Sequence, residues 1–139
     1  MMVMILIEHL TKMQVNGNFI PGEKVREQIF GGFCTCGGIM FQKLWFNVDG
    51  DSILVSECEK CWRNEAMVFN RDELISRDEV RVVDRRDFKD VILQILTEKE
   101  YDAIQAKISN RKYNSSILSN AKKKLNKVGL SIEEVGSYI

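Results

Sequence analysis

The sequence predicts an α+β protein, with a β-rich, metal-binding N-terminal domain followed by a helical domain. All four cysteines of the 139-residue chain fall into two close pairs, Cys34 with Cys36 and Cys58 with Cys61. The 21 residues between the pairs have the apolar and aromatic content of two strands around a turn. After residue 84, apolar residues recur every three or four positions, as in amphipathic helices. We therefore expect two domains, residues 1–84 and residues 85–139.

The segment between the cysteine pairs is typical of a hairpin. Residues 39–48 are rich in apolar and aromatic side chains, residues 49–52 have turn chemistry, and residues 53–55 lead back. Aromatic side chains fall on both faces of this hairpin, which favours core packing or self-association, with base stacking as the alternative. Elsewhere in this half we expect a strand or short helix at residues 1–10, a turn-rich connection or hairpin at 14–22, a third strand at 65–69, and a strand or extended linker at 74–83.

The cysteine pairs predict a single metal site. A one-residue gap strains a disulfide between Cys34 and Cys36, and the two glycines that follow suit a tight turn around an ion. Four thiolates complete a tetrahedral zinc site with no cysteine left over, while iron in the same cage remains chemically allowed. Such a site has no open position for substrate, so one structural Zn²⁺ would support folding rather than catalysis.

Two other uses of the cysteines are less consistent with the sequence. A redox dithiol would need only one pair and a thioredoxin-like βαβ context, which this segment lacks. Two disulfides would suit a secreted protein, but the N-terminal residues do not have the pattern of a signal peptide.

The two pairs, in the form Cys34-Thr-Cys36-Gly-Gly and Cys58-Glu-Lys-Cys61, resemble the zinc ribbon class common in transcription and translation factors. The resemblance covers roughly residues 28–70, and the first pair departs from the commoner two-residue gap. It implies two knuckles bridged by a hairpin, and hence a zinc ribbon within residues 1–84.

Charge is distributed unevenly along the chain although the total is zero. Residues 1–84 contain nine basic and thirteen acidic side chains, a net charge of minus four, whereas residues 85–139 contain eleven and seven, a net charge of plus four. This asymmetry is expected if only the C-terminal half meets a polyanion, although solvated lysines on helices give the same pattern. No apolar run approaches the ~18 residues needed to cross a bilayer, so we expect a cytoplasmic protein without membrane partners.

The C-terminal half predicts three helices with short connections. Residues 87–96 have one apolar face, Thr97 and Glu100 form a capping-box pattern for a second helix, and residues 114–128 form a third helix that Gly129 ends. Parts of residues 96–104 and 118–125 resemble the effector helix-turn-helix of bacterial response regulators, with a shortened middle. The resemblance implies a helix-turn-helix-like domain.

The third helix is the predicted nucleic-acid contact. Its apolar stripe leaves small polar groups and lysines on the opposite face, a pattern that suits base edges and phosphates respectively. The candidate contact residues are Arg111, Lys112, Ser116, Ser119, Asn120, Lys123 and Lys127.

The sequence thus favours a zinc-containing DNA-binding transcriptional regulator that docks helix 114–128 on duplex DNA. A second copy of the chain and the transcription machinery are the other expected partners. The alternative is a non-catalytic zinc-ribbon adaptor that binds only protein partners or itself. Enzymatic activity is not expected, because no glycine-rich phosphate loop or Ser/His/Asp set occurs and His9 is the only histidine.

Overall fold

The computed structural model describes residues 4–139, which form two compact units. The first comprises the described residues up to Asn16 together with Ile20–Val82, and the second comprises Gly17–Phe19 with Val83–Ile139. Within the described residues no helix is both long enough and apolar enough to cross a membrane.

The first unit is built from β-strands whose sheet closes on itself. The strands are β1 (Met4–Ile7), β2 (Lys12–Val15), β3 (Asn18–Lys24), β4 (Phe30–Phe33), β5 (Ile39–Val48), β6 (Asp51–Cys58), β7 (Asn64–Asn70) and β8 (Glu73–Val82). They lie in the order β3-β2-β1-β8-β7-β6-β5-β4, and an additional pairing of β3 with β5 joins seven of them into a closed ring. Strand β4 pairs with the start of β5, outside the ring.

Side chains alternate between the barrel interior and its surface. On β5, for example, Met40, Leu44 and Phe46 are buried. The register between β5 and β6 skips Lys43, so a β-bulge interrupts the pairing of the two strands at that residue. The barrel core consists of Met4, Leu6, Met13, Val15, Leu44, Phe46, Ile53, Val55, Ala66, Val68 and Val80. Because these residues come from six different strands and pack together, the unit has a core of its own.

The predicted zinc ribbon is therefore wrong as the fold of this half. The β5–β6 hairpin exists, with Asp49 and Gly50 at positive φ in its turn. Of the alternatives left open for the flanking segments, the hairpin and the strand are the ones observed: β2 and β3 are neighbouring strands, and β8 is a full strand. The sequence did not predict their further partners: β3 pairs with β5 at Gly22–Lys24, and β8 pairs in parallel with β1. These long-range pairings turn an open ribbon into a barrel. The expectation for residues 1–3 lies outside the described residues.

The second unit contains four helices rather than the three that the sequence predicts. They are α1 (Arg85–Leu93), α2 (Glu98–Ile108), α3 (Ser115–Val128) and α4 (Ile132–Tyr138). Asp84, Thr97, Asn114 and Ser131 are their N-caps, and each side chain accepts a backbone N–H of the first turn. Gly129 adopts the left-handed conformation that ends α3. The helix-turn-helix-like class is therefore corrected to a four-helix domain.

The helices of this unit pack through short apolar faces. Leu118, Ala121 and Leu125 of α3 are buried, as are Tyr101 and Ile104 of α2. Ile108, at the end of α2, is exposed. Tyr138 of α4 donates a hydrogen bond from its hydroxyl to the carbonyl of Val83 (3.2 Å), which ties the end of the chain to the start of the helical segment.

Candidate metal centre

The barrel strands place the four cysteines at one site. Cys34 follows β4 directly, and a tight turn returns the chain to β5: the Cys34 N–H bonds the Gly38 carbonyl (2.9 Å), and the Gly37 N–H bonds the Cys34 carbonyl (3.0 Å). Cys58 is the last residue of β6, and the Trp62 N–H donates to its carbonyl (3.0 Å) in the turn that contains Cys61. Since β4, β5 and β6 are neighbours, the two turns meet.

The four sulfurs are spaced as metal ligands. All four Sγ atoms lie within 4.8 Å of one another, with Cys34 3.6 Å from Cys61 and Cys36 3.5 Å from Cys58. A tetrahedral zinc ion with bonds of about 2.3 Å holds its sulfurs about 3.8 Å apart, whereas a disulfide requires about 2.05 Å. The four cysteines can therefore hold one metal ion. Two of them, Cys34 and Cys58, are buried, and Cys36 and Cys61 are exposed.

Backbone N–H groups surround the sulfurs and favour thiolates. The N–H groups of Lys60 and Cys61 point to Cys58 Sγ at 3.4 and 3.5 Å, and that of Gly38 points to Cys36 Sγ at 3.4 Å. The backbone N–H of Cys61 is the main cause that lowers the pKa of Cys58 to about 7, against the effect of burial. The backbone N–H of Cys36 likewise lowers the pKa of Cys34.

The fourth thiol behaves differently. The backbone N–H of Arg63 acts to lower the pKa of Cys61, but burial and the neighbouring sulfurs outweigh it and raise that pKa to about 12. Without a cation, then, the cluster resists carrying a negative charge on every sulfur. A divalent cation removes this repulsion, and the chemistry of the four donors fits that role.

Gly38 leaves the space that the cluster needs. A methyl group at this position would lie 2.7 Å from Cys58 Sγ and 3.3 Å from Cys36 Sγ. On the inner side, Met40 packs with Cys34 and Cys58 in a small buried cluster. The centre is thus enclosed by the chain on one side and open to solvent at Cys36 and Cys61.

The predicted nucleic-acid residues lie in the helical unit and are all exposed. Ser116, Ser119, Asn120, Lys123 and Lys127 share α3, and Arg111 and Lys112 lie in the connection that precedes it. No acidic residue occurs in α3, which carries four lysines. One of these, Lys124, is held by the buried carboxylate of Glu100 (2.7 Å), so three lysines of the helix remain for other contacts.

Sequence reasoning missed a polar network beside the metal centre. Lys43 Nζ lies 2.9 Å from Glu57 Oε2 and 3.1 Å from Asn64 Oδ1, and it also pairs with Glu8. The alternation of side chains expected along β5 gives no sign of this network. The bulge at Lys43 and the partners on other strands exist only in the folded protein. Only the unusual cluster of polar residues within an apolar strand could have drawn attention to this position.

Comparison with known proteins gives the chain a family. Residues 2–82 match the model of the AF0631-like N-terminal beta-barrel domain, and residues 85–138 match that of the AF0631-like C-terminal four-helix domain. An uncharacterized protein of Archaeoglobus fulgidus is 42% identical over 130 residues, which cover 94% of each chain. No solved structure matches the chain significantly. With both domain models matched in order, the chain belongs to the AF0631-like family.

Proposed function

We propose that the protein is a zinc-containing nucleic-acid-binding protein, acting as a transcriptional regulator, in which α3 contacts duplex DNA. The observation that carries this proposal is the exposed, acid-free face of α3. Lys122, Lys123 and Lys127 are exposed on this helix, and Arg111 and Lys112 add two cations just before it. Clustered cations without nearby acids on the same element are what a polyanion requires.

The helix divides its polar groups along its length. Ser116, Ser119 and Asn120 lie toward the N-terminal end, where short hydroxyl and amide groups suit hydrogen bonds to base edges. Lys123 and Lys127 lie toward the C-terminal end, where flexible ammonium groups suit phosphates. Asn114 caps the helix through its side chain, at 2.9 Å from the N–H of Ser116, and so fixes where this face begins.

Zinc is the metal that the donors favour. Four thiolates in a closed tetrahedral set are typical of structural zinc, and the ion would hold the turn after β4 to the turn after β6. Thiolates with two exposed members survive only where the medium is reducing, which supports a cytoplasmic location. Metal analysis of freshly purified protein should find one zinc per chain. The absence of zinc, or iron in its place, would contradict this part of the proposal.

A salt-dependent titration tests the DNA contact. Fluorescence anisotropy with duplex DNA at several salt concentrations should give an affinity that falls as salt rises. The double variant Lys123→Glu/Lys127→Glu should weaken binding and flatten the salt dependence by about two counterions, because each phosphate contact contributes about one. The control is Arg86→Glu/Lys99→Glu, which changes the net charge equally at exposed positions in the first turns of α1 and α2. Absence of binding at low salt, or equal loss in both variants, would refute the α3 contact.

A protein-binding adaptor is the second candidate, and one observation favours it. Phe30 and Phe33 flank the two glycines of β4 and are 53% and 65% exposed, with Ile29 and Ile39 also exposed nearby. The rings of Phe30 and Phe33 meet edge to face, with centroids 5.2 Å apart. An apolar patch on a strand outside the closed ring suits a second copy of the chain. Sedimentation of the wild type and of Phe33→Ser tests it: a dimer that the substitution dissociates supports this candidate, and a monomer in both contradicts it.

A further inference from the structure

A cavity of about 540 Å³ opens on the barrel unit beside the cysteine centre. Its lining combines aromatic, aliphatic, amide and charged side chains, and its volume lies in the range of small-molecule sites. We propose that this cavity binds an alkylammonium group, that of a small organic amine. The positive charge of the proposed ligand is inferred from the contacts that the ammonium group of Lys43 makes.

Lys43 lies at the bulge of β5, where its backbone carbonyl accepts the N–H of Val25 (2.9 Å). Its side chain is only 19% exposed and borders the cavity. An ammonium group has three donors, and here it has three acceptors: the carboxylates of Glu8 and Glu57 and the side-chain oxygen of Asn64. Lys43 is therefore saturated by the protein and has no donor left for an anionic ligand.

The acceptors around Lys43 are not saturated in the same way. Both hydrogen bonds to Glu57, from Lys43 and from Asn64, end on Oε2. A carboxylate offers about four lone-pair sites on its two oxygens, so Oε1 of Glu57 retains acceptor capacity. Along the cavity Glu8, Glu57 and Glu59 outnumber Lys24 and Lys43 by one charge. The lining thus offers acceptors and an excess of negative charge, which favours a cation.

The neighbouring centre adds to this field. Glu59 lies between two of the cysteines, and one Zn²⁺ with four thiolates carries a formal charge of minus two. The added negative charge of the metal centre rests on the proposed zinc. The excess of carboxylates in the cavity lining does not.

Trp62 supplies the apolar wall for the same ligand. Trp62 as a residue is 68% exposed and borders the cavity, and its backbone has a φ of 64° in the cysteine turn. The carbonyl of Trp62 accepts a hydrogen bond from Asn64 (3.2 Å), so one amide joins the tryptophan to the Lys43 network. Phe41 provides a second, half-buried ring. Aromatic faces beside carboxylates attract organic ammonium groups through cation–π interaction.

The test is an NMR titration of the full chain as purified, with its zinc content measured. The probe is n-butylammonium, and the readout is the indole N–H of Trp62, with that of Trp45 as the internal reference. We expect saturable shifts of Trp62 with n-butylammonium and none with n-butanol, which has the same chain without the charge. Binding of Nα-acetyl-lysine amide as tightly as the probe would assign the ammonium to a lysine side chain, and weaker binding would assign it to a free amine. Equal binding of n-butanol, or tighter binding of the anionic nucleotide AMP, would overturn the proposal.

Variants separate the cavity from the rest of the protein. Trp62→Ala, which lacks the indole signal and is followed through the backbone amide of Glu59, and Glu59→Gln, followed through the indole, should each weaken n-butylammonium binding by about two- to fivefold, the amount expected for one exposed cation–π or ionic contact. Glu73→Gln, at an exposed acid outside the cavity lining, should leave the affinity unchanged and serves as the matched control. If the protein contains zinc and binds DNA through α3 but does not bind the probe, only this inference is refuted. If the protein as purified contains no zinc and still binds the amine, the proposed zinc is refuted and this inference stands.

Discussion

Gly38 gives the sharpest prediction about the cysteine centre. Its φ lies outside the left-handed region, so alanine fits the backbone there without strain. The added methyl carbon, however, would lie 2.7 Å from Cys58 Sγ and 2.7 Å from the Cβ of Lys60. The substitution Gly38→Ala therefore acts on the ligand sulfur directly rather than through the backbone.

The size of the effect follows from these distances. Real Cβ contacts essentially never fall below 3.0 Å, so at 2.7 Å the methyl carbon and the sulfur must separate by at least about 0.3 Å, and by about 0.7 Å to reach ordinary contact at 3.4 Å. Metal–ligand distances tolerate only about 0.2 Å of change. Loss of the hydrogen-bonding groups that orient metal ligands lowers metal affinity by about 10- to 100-fold. Gly38→Ala displaces a ligand sulfur itself, and we expect its effect to fall in this range or above it.

Gly37→Ala is the matched control, because it adds the same methyl group one residue away. Gly37 has a φ of 90° but no atom within 4 Å of an added Cβ. That variant should lose about 1–2 kcal/mol of stability through backbone strain and keep its zinc affinity largely intact. Competition with a chromophoric zinc chelator measures both variants. Wild-type affinity in Gly38→Ala, or an equal loss in both, would refute the proposed ligand geometry.

Three further predictions concern the two units. Gly22→Ala should destabilise the barrel by about 1–3 kcal/mol in urea unfolding, because its methyl carbon would lie 2.5 Å from the buried ring of Phe46 where β3 closes on β5; an unchanged midpoint would contradict this closure. Burial acts to raise the pKa of Glu100, but hydrogen bonds from Lys124 and Thr97 outweigh it and lower this pKa below its ordinary value of 4.5. The ionised carboxylate therefore stabilises the fold fully above pH 4.5, and this contribution is lost as the pH falls through the folded-state pKa. Glu100→Gln should therefore show a weaker loss of stability than wild type between about pH 6 and pH 3, and parallel losses would contradict the ion pair. Leu125→Ala should cost the helical unit about 2–5 kcal/mol, as measured by circular dichroism during unfolding, and a loss below about 1 kcal/mol would mean that this fully buried side chain is not part of a packed core.

Local signals predict the parts of the fold that depend on neighbouring residues. The β5–β6 hairpin follows from Asp49-Gly50, whose positive φ values suit a two-residue turn, and the start of α2 follows from the capping box of Thr97 and Glu100. Ser131 and Glu134 form a second capping box of the same kind, which could have predicted α4.

Closure of the barrel has no such local signal. It depends on pairing Gly22 with Phe46 and Ile5 with Arg81, which are far apart in sequence and carry no motif that joins them. A four-cysteine knuckle with a hairpin fits an open ribbon as well as it fits this barrel. The choice between them is made by strands whose own sequences are equally consistent with linkers.

The candidate site likewise has a part that the sequence predicts and a part that it does not. The spacing of the cysteines predicts a site for one metal, because the chain between them is short enough to bring the pairs together. The Lys43 network could not be predicted, because it forms at a bulge and its partners come from β6, from the first residue of β7 and from the residue that follows β1.

X-ray absorption on the freshly purified protein tests the proposed zinc centre most directly. The absorption edge identifies the metal, and the fine structure measures the ligands around it. We expect one zinc per chain with four sulfur neighbours at about 2.3 Å. A shell containing nitrogen or oxygen, an iron edge, or sulfur–sulfur distances of about 2.05 Å from disulfides would contradict a zinc ion held by Cys34, Cys36, Cys58 and Cys61.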